Sequence, residues 1–369
     1  MTEYPIRVAQ IMGKMENGGV ESVVMNYYRH IDRTKIQFDF IVDDDSSCPQ
    51  EPEILSLGGK VIRIAPYQNI IANMRDLKRT FSENQYKIVH AQLTTMSVFS
   101  LAVAEKCGVP VRICHGHNTA CKGETKKNVM KYMLRPFAKM FATHYFTCSD
   151  YAGKWLFGKN IGNNRQYRVI RNAIDVDKFR FNPQMRAEVR EELGIQNKFV
   201  IGHIGRFVYQ KNHDFLIDIF LQVYKRNRNS VLLLVGEGPL MEDIKQKVHR
   251  LHLDSAVRFL GVRQDAYRLY QAFDVFLLPS RYEGLPVVGV EAQTNGVSCI
   301  MTNKITSETK ILDSTYFMSY DNSAYKWADM VIRSADGYVR CDTSGDMIQA
   351  GFSIQNEAKR LCNFYCGLR

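Results

Sequence analysis

Residues 280–291 read Ser280-Arg281-Tyr282-Glu283-Gly284-Leu285-Pro286-Val287-Val288-Gly289-Val290-Glu291 and follow directly on the apolar run Val275–Leu278. A short apolar run bounded by turn residues predicts a buried strand. Gly284 allows a tight turn after it, and Pro286 suits the first position of a helix, where a missing N–H costs nothing. A strand, a turn and a helix in that order aim the free backbone N–H groups of the helix start at one end of the strand, where phosphate or sugar oxygens are readily held. Glu283 in the loop and Glu291, about one and a half turns into the helix, frame the spot. A carboxylate accepts two hydroxyl hydrogen bonds at once, so the pair suits a ligand with vicinal diols at both ends. A plain helix start whose acidic residues offset the dipole has the same residue types.

The same step recurs on both sides of this stretch. Strands are predicted at Arg7–Met12, Phe38–Val42, Lys60–Ile64, Ile88–Ala91, Val111–Cys114 and Thr143–Thr147, with helices over Val20–His30 and Val98–Cys107, the latter closed by Gly108. Residues 172–196 are polar without a strand pattern and are read as a linker. Strands resume at Phe199–Ile204, Val231–Val235, Val257–Leu260, Val275–Leu278 and Ser298–Met301. Short apolar runs alternating with longer amphipathic ones, restarting after a linker, predict an α/β protein of two Rossmann-like, doubly wound parallel-sheet domains, residues 1–171 and 197–351. Ligands of such sheets bind beyond the carboxyl ends of the strands, so those loops carry the search for function.

The length of 369 residues, 45% hydrophobic and 24% charged, fits two globular domains and excludes collagen, coiled coil and wholesale disorder. The net charge is +11. It is lopsided, with 24 basic against 15 acidic residues up to Arg171 and 25 against 23 beyond. An anionic partner is therefore expected chiefly on the first domain. The nine cysteines include no Cys-x-x-Cys pair and are read as reduced, mostly core residues. No apolar run approaches the ~20 residues of a membrane-spanning helix, and the N-terminus lacks a secretory apolar segment. The expected place is the cytosol, on a membrane surface at most.

Several loops at strand ends carry candidate chemistry. Gly205-Arg206 with Lys211 follows the first strand of the second domain, where a guanidinium fork and an ammonium can converge on a diphosphate. Gly236-Glu237-Gly238-Pro239 lacks the third glycine of a dinucleotide fingerprint and reads as a backbone turn beside a base or ribose. Gly18-Gly19, between the first strand and helix, either lets a phosphate approach the helix start or is a plain turn. His115-Gly116-His117-Asn118 places two imidazoles at a strand end, fit for acid/base work or a sugar hydroxyl, with no third ligand for a metal. Asp43-Asp44-Asp45 reads as an exposed acidic turn, not a cation site. Lys122–Phe141 interleaves lysines and Arg135 with Val129, Met130, Tyr132, Met133, Phe137 and Met140. Such a basic amphipathic stretch either rests on an anionic membrane or turns its apolar face into the first domain.

Taken together, Gly18-Gly19-Val20-Glu21, Asn172-Ala173-Ile174-Asp175 with Phe179, Gly205-Arg206 with Lys211, Gly236–Pro239 and the Glu283-to-Glu291 pair resemble the retaining glycosyltransferases of family 4, across roughly residues 5–300. Within that family the likeness is to bacterial enzymes of capsule and exopolysaccharide assembly. The resemblance implies the GT-B fold, with the C-terminal segment 352–369 returning to the first domain. It implies a nucleotide-sugar donor, UDP-linked by preference, in an interdomain cleft, and a glycan or lipid-linked acceptor. Arg206 and Lys211 would hold the diphosphate, and Glu291 the ribose. Glu283, Gly284 and Leu285 would meet the transferred sugar, with Glu237, Gly18 and Gly19 close to the donor. His117 or His115 would stand near the reacting carbon, with the spacing leaving both open and a lean to His117. No cofactor and no metal is expected at the site, and no nucleic acid as partner, since no nucleic-acid module is present. The competing readings are a nucleotide-sugar epimerase or other GT-B enzyme, and a basic binding protein that kept the fold without turnover.

Overall fold

The computed structural model describes residues 5–16, 18–117, 119 and 125–368. The chain divides into two compact units, residues 1–173 together with 353–369, and residues 174–352.

The first unit is built on seven strands: β1 (Ile6–Gly13), β2 (Ile36–Asp43), β3 (Lys60–Ile64), β4 (Ile88–Ala91), β5 (Val111–Gly116), β6 (His144–Thr147) and β7 (Tyr167–Val169). All pairings are parallel, in the order β3-β2-β1-β4-β5-β6-β7. Every residue of β2 is buried, as a strand covered on both faces requires. The order reverses between β1 and β4, so their carboxyl ends flank a crevice. The helix Ile354–Cys366 packs on the helix Gly19–His30 in this unit, bringing Tyr365 into its core.

The second unit has six parallel strands: β8 (Phe199–Ile204), β9 (Ser230–Val235), β10 (Val257–Phe259), β11 (Val275–Leu278), β12 (Ser298–Thr302) and β13 (Thr315–Met318). Their order is β10-β9-β8-β11-β12-β13, reversing between β8 and β11. Leu232, Leu234 and Leu277 face one core of this unit, while Val231, Leu233 and Leu278 face the other. The alternation follows from the two-residue period of a strand sandwiched between helix layers.

Two edge strands, β7 and β13, are absent from the sequence reading. Both are short and only partly buried at several positions, so their apolar signal is weak. Residues 172–196 are more than a connection. They contain the helices Val176–Phe179 and Pro183–Glu192, and the second packs on Ala266–Ala272 within the second unit. Its polar character has a cause: Arg186 and Arg190 are spent on the carbonyls of Gln271, Ala272 and Phe273 and on Asp274. Pro286 is the residue before its helix, which runs Val287–Thr294, and its extended ψ of 120° keeps it out of the first helical position. Asp43 departs from the expected exposed acidic turn. It ends β2 fully buried, and burial raises its carboxyl to about 6. Asp44 and Asp45 are exposed, and Asp45 pairs with Lys14 at 2.7 Å.

Candidate functional site

In the second unit the loops after β8, β9 and β11 are tied together beyond the sheet edge. Arg281 N donates to Gln210 O at 2.8 Å, and Asn212 Nδ2 to Pro279 O at 3.1 Å. Gln210 Nε2 donates to Tyr282 O and to Glu283 Oε2, at 3.1 and 3.0 Å. Lys211 Nζ meets Glu283 Oε1 at 2.6 Å, and Ser280 Oγ reaches the same oxygen at 3.0 Å. Only 15% of the lysine side chain and 9% of the glutamate's are exposed, so this pair is shielded from solvent. An ammonium has three donors, so Lys211 retains capacity for a further anion. Arg206 lies in the same loop, exposed and ion-paired to no acidic side chain among the described residues.

The turn Gly236–Pro239 lies flat against the loop after β8. A Cβ on Gly236 would sit 2.3 Å from Gly205 O, and one on Gly238 2.6 Å from Phe207 O. Phe207 N donates to Glu237 O at 2.9 Å, with the Glu237 side chain exposed. The two glycines are thus required by close backbone approach.

Glu291 sits on the helix Val287–Thr294, and Tyr270 donates its hydroxyl to Oε2 at 2.8 Å and to Val288 O at 3.1 Å. Burial pushes the Glu291 carboxyl up to about 7, while Tyr270, Lys178 and Lys211 pull it back down. Leu285 is buried with Ile174, Val176, Val290 and Phe352, anchoring the loop that carries Gly284 and Glu283. Tyr270 had no signal in the sequence. It belongs to the core by composition, and only packing turns its hydroxyl toward Glu291.

In the first unit a cavity of about 530 Å³ opens where the strand order reverses, lined by Met12 near the end of β1 and Lys14 after it, Gln92 and Thr94 after β4, and His117 after β5. Gly19, Val20, Glu21, Met130 and Lys131 complete much of its wall. Gly19 is the first residue of its helix and Gly18 the residue before it, where a Cβ would lie 2.3 Å from the Glu21 carboxylate.

The two candidate histidines part company here. His117 lines the cavity and bonds Gln92 Oε1 through Nε2 at 2.7 Å. His115 is enclosed, stacked on His117 with ring centres 4.1 Å apart and bonded through Nδ1 to His90 Nε2 at 3.0 Å. Burial lowers the imidazolium stability of all three, to about 3 for His90 and about 4 for His117, and keeps them neutral. Asn118 lies outside the described residues. Among those described, no group of three or more His, Cys, Asp or Glu is placed to hold a metal ion.

Of the stretch 122–141, Lys122 also lies outside the described residues. The helix Thr125–Leu134 and the turn after it leave Val129, Met130, Tyr132, Met133, Phe137 and Met140 45 to 68% exposed. These six side chains are largely open to solvent, although Met130 also borders the cavity and Tyr132 stands edge-on to Trp155, while Ala138 is buried and Leu134 and Phe141 are partly covered. No described helix is long and apolar enough to cross a membrane.

Two family models match the chain, one described as Glycosyltransferase Family 4 over residues 17–178 and one as Glycosyl transferases group 1 over residues 198–335. The EpsF protein of Bacillus subtilis strain 168 is 34% identical over 97% of this chain and 96% of its own length. An Escherichia coli protein named UDP-Gal:α-D-GlcNAc-diphosphoundecaprenol α-1,3-galactosyltransferase is 29% identical over 63% of each chain. Among solved structures, Anabaena HepE in complex with UDP-glucose superposes with a TM-score of 0.75 at 18% identity, covering 97% of this chain and 95% of that one, a likeness of fold. Two doubly wound sheets, the loops at their carboxyl edges and the full-length match agree: the chain belongs to the group 1, family 4 glycosyltransferases of GT-B fold and is a glycosyltransferase.

Proposed function

We propose that the protein is a retaining transferase of a hexosyl or N-acetylhexosaminyl group, taking it from a UDP-linked sugar to a glycan or lipid-linked acceptor in cell-surface polysaccharide assembly. The observation that carries this reading is the gathering of Lys211, Glu283 and Glu291 beyond the carboxyl ends of β8 and β11. In it Arg206 and Lys211 bind the diphosphate, and Glu291 accepts the ribose hydroxyls. Glu283, with the backbone at Gly284 and Leu285, meets the transferred sugar, Glu237 and Gly18-Gly19 lie near the donor, and His117 contacts the sugar by its reacting carbon.

The acceptor hydroxyl attacks the anomeric carbon on the face that the diphosphate leaves. The carbon–oxygen bond to the phosphate breaks, and the departing phosphate oxygen takes the hydroxyl proton, so the chain needs no base of its own. Charge growing on the diphosphate is offset by Arg206 and Lys211, an electrostatic contribution that metal-free transfer depends on. The basic surplus of the first domain and the outward apolar row at 129–140 support an acceptor met at an anionic membrane, on its cytoplasmic face.

The test is incubation with a panel of UDP, GDP and ADP sugars, with release of nucleoside diphosphate followed by mass spectrometry. Release from a UDP sugar that depends on acceptor is expected, and Glu291→Ala abolishes it. Donor isomerised without acceptor, or turnover unchanged in Glu291→Ala, defeats the reading.

A further inference from the structure

A line of buried hydrogen bonds joins the two ends of the imidazole stack. From His117 Nε2 it passes to Gln92 Oε1 at 2.7 Å, from Gln92 Nε2 to Gln10 Oε1 at 2.8 Å, and from Gln10 Nε2 to the Tyr365 hydroxyl at 3.5 Å. The Tyr365 hydroxyl meets His90 Nδ1 at 2.7 Å, and His90 Nε2 meets His115 Nδ1 at 3.0 Å. The line ends at His115 Nε2, buried with no partner among the described residues. Its members come from β1, the end of β4, β5 and the helix Ile354–Cys366, and all are at least nine-tenths buried. Gln10, His90, His115 and Tyr365 lie away from the cavity and only Gln92 and His117 border it, so the orientation of the two amides is set chiefly by their protein neighbours. With the Tyr365 hydroxyl donating to His90 Nδ1, its oxygen accepts from Gln10 Nε2, which leaves the Gln10 carbonyl to Gln92 Nε2 and the Gln92 carbonyl to His117.

We propose that Gln92 is a positioning residue for His117, and that with Gln10 and Tyr365 it fixes the His117 proton on Nε2, leaving Nδ1 as the acceptor for a hydroxyl of the transferred sugar. The proposal rests on the reading of His117 as the residue that meets that sugar. It gives the C-terminal helix a part in the chemistry, since Tyr365 sets from behind which nitrogen the site presents. A ring nitrogen bearing a proton cannot accept, so the wrong tautomer would meet a hydroxyl proton with an N–H.

Two-bond ¹H–¹⁵N correlation spectra of ¹⁵N-histidine-labelled protein, assigned with a His117→Gln variant, read the tautomer without any donor present. The expected result is a single Nε2–H form of His117, becoming a mixture in Gln92→Leu and in Tyr365→Phe, with turnover lowered about tenfold in the first. Gln92→Glu supplies a second readout if those variants melt early. A carboxylate at that position should protonate His117 at a higher pH, against its neighbours His115 and His90 and beside Lys14, Glu21 and Lys131 of the same cavity. An Nδ1–H or mixed form in the unaltered protein, or an unchanged His117 spectrum in all three variants, overturns the proposal. A protein with the expected tautomer but no turnover of any nucleotide sugar would instead defeat the functional reading.

Discussion

The carboxyl edges of the two sheets solve the same topological problem with opposite electrostatics. In the first unit, at the β1/β4 reversal, the buried groups are imidazoles, amides and a phenol, held neutral and bonded to one another. In the second, at the β8/β11 reversal, they are a lysine and a glutamate in contact, with a second glutamate nearby whose charge burial opposes. Position in the fold thus says where a ligand goes and leaves open what it is. A buried ion pair suits a diphosphate, which brings countercharge with it, whereas buried neutral groups suit hydroxyls, the charged Lys14, Glu21 and Lys131 standing only on the partly exposed wall of the first unit's cavity.

The sharpest way to break this contrast is to remove the charge. Lys211→Ala takes away the ammonium that the proposed reaction sets against the developing negative charge and leaves Glu283 buried without its counterion. Turnover should fall by about 10²–10³, with a lower melting temperature, and unaltered release of nucleoside diphosphate would mean that the charged edge is only structural.

The second handle is pH. With the Glu291 carboxyl raised to about 7 by burial, its ionised form, the one that would accept ribose hydroxyls in the proposed reaction, is lost as pH falls through that value. UDP affinity by titration calorimetry should therefore weaken below pH 7 by up to about tenfold per pH unit, and Glu291→Gln should flatten the profile. The same raised value has the opposite sign for stability. The unfolded chain releases this proton near the ordinary 4.5, so Glu291 contributes a loss of stability as pH rises from there towards 7.

A smaller effect separates the carboxylate from its support. Tyr270→Phe deletes the hydroxyl that favours the ionised form, so the midpoint of that profile should move upward and UDP affinity fall about fivefold, the value of one hydrogen bond of about 1 kcal/mol. An unmoved midpoint would assign Tyr270 to packing alone. The mildest change concerns the outer surface of the first unit. Met133→Glu together with Met140→Glu should lower partition onto vesicles of anionic lipid a few-fold, with the proposed binding of UDP unchanged. Equal partition would remove the membrane from the account of the outward apolar row.

Much of this was legible along the chain, and the reasons differ from residue to residue. The central strands are apolar runs because helices cover both faces, so β2, β9 and β11 announce themselves. Strands β7 and β13 do not, since each is only three or four residues long and leaves several of them partly exposed. The loops with Lys211 and Glu283 stand out because charged residues between an apolar strand and a helix start have few structural reasons to be there, and Glu291 follows in the helix that the second loop starts. His115 and His117 are equivalent by the same logic. They alternate with period two on one strand end, and spacing cannot say which one a cavity reaches.

What the sequence determined by itself was the number of sheets, the loops at the carboxyl ends of the strands and the family, because these follow from hydrophobic period and from residue types at strand ends. Tertiary structure alone decided that His117 lines the cavity while His115 is sealed behind it, that Tyr270 braces Glu291, and that Tyr365 returns from the end of the chain to close the line of bonds at His90. The physical reason is that hydrogen-bond partners in a core are chosen by distance in space, and residues separated by 275 positions carry no trace of each other in the order of the chain.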